Sequence, residues 1–344
     1  MPPPDVRPRR WRKRLIAAAL SLGLSFLLVE LVARALFGVP LPERLPLLRV
    51  QANDQRGWEM VPGELHYTYE EAVTINALGL RGPELGPKRE GELRLLALGD
   101  SLVYGQGVAD DQTLPAHLER ELGAPWTVVN AGHRAYDTAQ EIGLLEELGE
   151  ELAPDVVVLF WYRNDFLERE IGPTAERLRA SGPISFDVGR PLEGATLWKW
   201  RAKQLARRST LVMTLYDRVK KKHGDQIARE TPAGLERLDG YLDRFVAQCE
   251  RLGARPLVCA IPGPDRLAEE DLERSPDREV LELAREHGLF ARDLLPALLA
   301  LREATGSIPT VPFDGHYAGP SNEALARAVA GWVREALAKD AAGG

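Results

Sequence analysis

Three apolar runs constrain this chain more than any other feature. LRLLALGD (93–100), WTVVNAG (126–132) and PDVVVLFWY (154–162) are each short enough for a buried strand. Between them lie TLPAHLERELG (113–123) and TAQEIGLLEELGEEL (138–152), whose apolar positions recur at helical spacing. The alternation resumes with a helix over 234–253, a strand ARPLVCAIP (254–262) and a closing helix over 320–340. In that helix Leu325, Val329, Trp332, Val333 and Leu337 make one stripe, and Pro320 suits the first turn. Strands apolar on both faces and separated by helices predict an α/β fold, a parallel sheet covered on both sides. Ligands in such folds sit at the carboxyl ends of the strands.

The front end obeys a different rule. Residues 1–14 carry Arg7, Arg9, Arg10, Arg12, Lys13 and Arg14 against a single acid, Asp5. The uncharged run 15–29 follows, and Glu30 and Arg34 stand one helical turn apart. Extended to Phe37, the segment reaches the ~20 residues a membrane-spanning helix needs. The basic cluster predicts a cytoplasmic N-terminus with the body on the other side. A cleaved signal ending at Ala33-Arg34-Ala35 and an amphipathic surface helix are the competing readings. With this cluster set aside, the body is more acidic than the net charge of −7, which argues against a general nucleic-acid binder. Cys249 and Cys259 are too few for a disulfide framework or a zinc site and read as core residues.

The expected organisation is a basic tail (1–14), a membrane helix (15–37), a linker and β-extension (38–92), a main domain (93–338) and a short tail (339–344). The linker is proline-punctuated, and 57–82 alternates around turns. Residues 167–232 interrupt the alternation with the basic, amphipathic WKWRAKQLARRSTLVMTLYDRVKKKHG (198–224). This insertion reads as helices packed over the sheet ends, as a lid, or as a membrane-surface element, since Trp198 and Trp200 stand among Lys and Arg.

Four groups fall at the predicted strand ends or in the last loop: Ser101; Asn130 with Gly132; Asn164 with Asp165; and Asp314 with His316. A parallel sheet brings all four to one edge. A serine hydroxyl needs a base to act as a nucleophile, and His316 can be that base. In an extended segment residues i and i+2 face the same side, so Asp314 can orient the imidazole. N–H groups of Ser101 and Gly132 and the Asn164 amide can stabilise an oxyanion. Each feature also has an ordinary reading. Asn130, Asp100 and Asp165 are expected to brace turns through backbone N–H groups. His133 reads either as a substrate contact or as an exposed loop residue. His66, His117, His223 and His287 show no pairing pattern.

GDS after the first strand, NAG after the second, RND after the third and DGH near the end resemble, in that order, the SGNH/GDSL hydrolase family. The resemblance covers roughly residues 93–338. It implies a flavodoxin-like three-layer α/β/α fold and an esterase, thioesterase or acyl-transfer site. Carried over by position, Ser101 is the nucleophile, His316 the base, Asp314 its partner, and Gly132 and Asn164 are oxyanion donors. The third block begins with Tyr162 where the family has glycine, so Tyr162 and Arg163 become candidate substrate contacts. The last block is Asp-x-His rather than Asp-x-x-His. The N-terminal segment, with GW…PG and TINALGLRG behind it, resembles a bacterial exported subgroup on a membrane anchor. That implies a single-pass inner-membrane protein with an exported catalytic domain, or a periplasmic one after cleavage. The expected activity is hydrolysis of small O-acyl groups, such as acetyl, on a carbohydrate or envelope polymer. Acyl transfer, lipid or lysophospholipid ester hydrolysis and non-catalytic envelope binding are the alternatives. No metal, organic cofactor or nucleic acid is implied.

Overall fold

The structure, a computed structural model, describes residues 8–220, 224–263, 267 and 276–343. Expectations placed on residues 1–7 of the basic tail, on 221–223 of the insertion (His223 among them) and on Gly344 lie outside the described residues.

The chain opens with helix α1 (Pro8–Phe37), whose segment Trp11–Phe37 is long and apolar enough to cross a membrane. The extension follows. Strands β1 (Arg49–Asn53) and β2 (Gly57–Met60) pair antiparallel, and β3 (Leu65–Thr68) and β4 (Glu71–Thr74) form a separate hairpin.

The main domain begins with β5 (Leu93–Gly99), the single-turn helix α2 (Ser101–Tyr104), α3 (Leu114–Leu122), β6 (Trp126–Gly132), α4 (Thr138–Leu152) and β7 (Val156–Trp161). These match the alternation closely because the local signals agree. Thr113 caps α3 through Ala116 N–H, and Asp137 with Gln140 forms a reciprocal box at the start of α4.

The insertion contributes α5 (Ile171–Ser181), the two-residue strand β8 (Ile184–Ser185), α6 (Gly194–Arg207) and α7 (Thr210–Lys220). Strand β8 adds to β1, so insertion and extension share a three-stranded sheet. Helix α8 (Gly224–Leu252) starts ten residues before the predicted helix and carries Pro232 inside it. Strand β9 (Arg255–Ala260), α9 (Pro276–Glu286), β10 (Phe290–Asp293), α10 (Leu295–Thr305) and α11 (Gly319–Gly343) complete the chain. Helix α11 runs on through the described part of the expected tail.

The central sheet is wholly parallel, in the order β10-β9-β7-β5-β6. With these five strands numbered in chain order and read from the β6 edge, this is 2-1-3-4-5, the flavodoxin-like order. The pleat divides the core. Leu96, Leu98, Val157 and Leu159 face Ile142 and Leu145 of α4 and Leu242 and Phe245 of α8. Leu95, Ala97, Val156 and Val158 face Leu114 and Leu118 of α3 and Leu325, Val329 and Val333 of α11. Three α/β/α layers result, as the resemblance implied. Cys249 and Cys259 are free and buried.

Candidate active site

The β5–α2 turn makes the site. Gly99 pairs with Gly132 of β6 and Phe160 of β7, so three strands end level. Asp100 caps α2, its Oδ1 accepting from Leu102 N–H at 2.8 Å, and thereby braces the loop as expected. Gly105, in the left-handed region at φ 86°, ends the helix after one turn. Ser101 is thus the first residue of a helix that stands on a sheet edge.

His316 comes to that edge from the loop before α11. Its Nε2 lies 2.7 Å from Ser101 Oγ, and its Nδ1 pairs with Asp314 Oδ1. A carboxylate only accepts, so Nδ1 carries the proton and Nε2 accepts from the serine hydroxyl. The Asp314–His316 contact does not arise in extended chain, as the i, i+2 argument supposed. Phe313 (φ 60°) and Gly315 (φ 93°) are left-handed, and His316 C=O accepts from Val311 N–H at 2.7 Å. The pair meets across a tight turn, which lets the shorter Asp-x-His spacing suffice.

Two partners of Asp314 escaped the sequence reading. Tyr69 Oη and Gln106 Nε2 both donate to Asp314 Oδ2, the latter at 2.8 Å. Tyr69 stands at the β3–β4 turn with φ 57°, a strained conformation for a residue with a side chain. Burial opposes ionisation of Asp314, but His316, with Tyr69 and Gln106 donating, outweighs it and holds the carboxyl well below the usual range. Gln106 carried a weak signal, since glycines flank it. Tyr69 carried none.

Asn164 lies in the 3₁₀ turn Arg163–Phe166 after β7. Its Nδ2 donates to Asp100 Oδ2 at 2.9 Å, tying the third strand's loop to the loop that carries Ser101. An amide nitrogen has two hydrogens, so one remains to donate elsewhere. Asp165 accepts from Tyr162 N–H at 3.1 Å and Thr138 Oγ at 3.4 Å, which braces this turn. Tyr162 and Arg163 lead into it and are half-buried.

One expectation is corrected, and one expected donor already has a partner. Gly132 N–H donates to Asn130 Oδ1 at 3.0 Å, so its single hydrogen is already committed within the protein. The glycine is needed there for packing: a Cβ would stand 2.1 Å from Tyr104 N of α2. His133 is neither a substrate contact nor an exposed loop residue. It is fully buried, stacked 4.5 Å from Tyr136, and its N–H donates to Gly99 C=O at 3.0 Å. Burial pulls its pKa down to about 3, so it is neutral.

Next to Ser101, Asp100 begins a group of buried carboxyls with Asp165 and Glu141. Burial pushes Asp100 up, and pushes Asp165 further, with the charge of Asp100 adding to the effect. Glu141 of α4 is raised well above the usual range by burial and then by Asp165, Asp100 and Asp137. Among the described residues no group of His, Cys, Asp and Glu is arranged to hold a metal ion.

A cavity of about 280 Å³ lies on the Asp314 side of the site, between extension and insertion. Tyr67, Tyr69, Arg134, Arg207, Met213 and Asp314 line it. Arg134 is paired with Asp187, and Arg207 with Glu43.

No protein-family model matches the chain, and no curated protein matches it. Among solved structures it is similar to TesA, at 17% identity over 70% of this chain and 98% of that one, with a TM-score of 0.42. It is similar to the acetyl xylan esterase AlAXEase at 15% identity over 71% of this chain and 100% of that one, TM-score 0.41. The third similarity is to a carbohydrate acetylesterase family member from Sinorhizobium meliloti, at 14% identity over 72% of this chain and 99% of that one, TM-score 0.39.

Proposed function

We propose that this chain is a serine ester hydrolase of the SGNH/GDSL type. The observation that carries the reading is the hydrogen-bonded series Ser101–His316–Asp314 at the carboxyl edge of a parallel sheet. His316 Nε2 takes the hydroxyl proton as Ser101 Oγ attacks the ester carbonyl carbon. Asp314 holds the imidazole and stabilises the imidazolium. The oxyanion is met by Ser101 N–H, at the start of α2, and by the second N–H of Asn164. His316 returns the proton to the departing alcohol oxygen as the C–O bond breaks, leaving an acyl group on Ser101. Water, deprotonated by His316, then attacks the acyl carbon; the bond to Ser101 Oγ breaks, Oγ takes the proton back from His316, and the carboxylic acid leaves. Gly132 N–H is the third proposed donor, passing from Asn130 Oδ1 to the oxyanion as the charge forms. Tyr162 and Arg163, beside Asn164, remain the proposed substrate contacts.

The proposed substrate is an O-acyl group, acetyl being the simplest, on a carbohydrate or other envelope molecule. In this reading α1 is an uncleaved inner-membrane anchor with its N-terminus cytoplasmic and the α/β body exported. The test is hydrolysis of acetyl, butyryl and octanoyl nitrophenyl esters by the full chain, with Ser101→Ala alongside. Turnover and fluorophosphonate labelling that both vanish in the variant support the reading. A folded protein that neither turns over nor labels overturns it.

A further inference from the structure

Of the eight large apolar side chains exposed outside α1 among the described residues, five fall between residues 198 and 216. Scattered exposed apolar residues need no explanation, but a cluster does. Trp198 (69% exposed) and Leu205 (70%) lie seven residues apart on α6, one helical stripe. Val212, Leu215 and Tyr216 repeat the i, i+3, i+4 spacing on α7, Val212 and Tyr216 also bordering the cavity beside Asp314. Lys199, Arg201, Lys203 and Arg208 are exposed among them, and Arg201 lies over the Trp198 ring at 5.4 Å. An apolar stripe rimmed by cations and carrying an interfacial tryptophan is suited to an anionic lipid surface.

The position of α1 makes the partner specific. Glu30 is buried against α7. It accepts from Thr210 N–H at 2.8 Å, Leu211 N–H at 3.1 Å and Ser209 Oγ at 2.7 Å, satisfying amides that the first turn of α7 leaves open. Arg34 completes the joint, donating to Glu30 at 2.8 Å and to Arg208 C=O at 2.9 Å. The uncharged run 15–29 is only ~22 Å of helix, short of the ~30 Å hydrocarbon layer. Residues up to Phe37 must therefore contribute, and Leu31, Val32 and Leu36 are indeed exposed. Counted from residue 15, a ~30 Å layer takes ~20 residues and ends near Arg34, so Glu30 and the start of α7 are held about one helical turn inside its outer edge.

We propose that α6 and α7 rest in the lipid headgroup layer beside α1, with an anionic bilayer surface as their partner. The proposal rests on the reading of α1 as a membrane-spanning anchor. The joint confines the body to one height and tilt above the bilayer. The esters best placed to reach Ser101 are then those carried by amphiphiles held in that surface.

The test uses the full chain in phosphatidylcholine–phosphatidylglycerol vesicles, with single cysteines introduced at Leu22→Cys, Leu215→Cys or Glu282→Cys and labelled with nitrobenzoxadiazole. Cys249 and Cys259 are buried and stay unlabelled. The label at 22 is expected to be quenched by a nitroxide at the acyl-chain end, that at 215 by a nitroxide near the headgroup, and that at 282 by neither. Adding Glu30→Gln should lower the quenching at 215 at least twofold and leave 22 unchanged. A label at 215 that behaves like the one at 282, while 22 is quenched, overturns the proposal and leaves the anchor standing. An unquenched label at 22 overturns the anchor and the proposal together. A label at 215 shielded from aqueous iodide but untouched by either nitroxide marks a protein partner and also overturns it.

Discussion

Asn164 donates its side-chain amide to Asp100 across 64 residues of chain, joining the loops after β7 and β5 at 2.9 Å. The bond aims the remaining N–H of the amide and steadies the residue that caps the helix beginning at Ser101. Asn164→Ala should therefore lower kcat about 10²–10³-fold, the usual cost of one oxyanion donor. KM for a nitrophenyl ester should change little, because the donor acts on charge that develops only in the transition state. Steady-state kinetics on the variant check both halves.

Tyr69 and Gln106 act through Asp314 and touch no reacting atom. Tyr69→Phe removes one donor to a buried carboxylate, and hydrogen bonds to charged groups are worth ~1.5–3 kcal/mol. A fall in kcat of about tenfold is expected. On acidification, activity should be lost at a higher pH than in the parent, because Asp314 loses one of the donors that hold its carboxyl down. An unchanged profile together with a lowered Tm would assign Tyr69 to folding alone.

Glu141 supplies a stability prediction. Its native pKa lies above its unfolded value, so between the two the native state binds the extra proton. Stability is therefore full below the unfolded value and declines as pH rises towards the folded one. Glu141→Gln keeps the shape and removes the ionisation. Its Tm should match that of the parent near pH 4 and exceed it at pH 8, by about 2–4 °C for each kcal/mol recovered. Parallel melts across pH decide it.

Gly132→Ala places a methyl group 2.1 Å from Tyr104 N, where backbone must give way. Overpacking of this kind typically costs ~1–3 kcal/mol. The displaced element is α2, which carries Ser101, so kcat should fall along with Tm. Both measurements on one preparation test whether this glycine acts by packing.

Much of the fold was legible because several signals coincide between residues 93 and 162. Apolar runs, caps and glycine stops there all indicate the same boundaries, and WTVVNAG and TAQEIGLLEELGEEL match their elements residue for residue. The sheet edge then brings Ser101, Asn164, Asp314 and His316 together by topology alone. What escaped depends on long-range contact. Tyr69 reaches Asp314 across 245 residues. Strand β10, with the sequence FARD, is short, half-exposed and partly charged, so no alternation marks it. His133 follows a strand end, where solvent is the usual expectation, but Tyr136 and Trp58 close over it. The commitment of Gly132 N–H to Asn130 depends on a side-chain orientation that motif spacing does not encode.

Arg81 of the extension is buried and gives its guanidinium to the carbonyls of Tyr104, Gly105 and Val108 at 2.9, 2.7 and 2.7 Å. Nearby, His66 Nε2 meets Tyr104 Oη at 2.6 Å, and Gly107 N–H donates to Thr68 at 2.8 Å. The helix that begins at Ser101 is thus moored at its far end by residues encoded before the parallel sheet begins. A polypeptide trimmed to start at Leu93 would keep all five parallel strands and the serine–histidine pair. It would also leave three inward-facing carbonyls without their cation. The smallest unit that can be expected to hold Ser101 in place therefore begins upstream of the parallel sheet, at the extension.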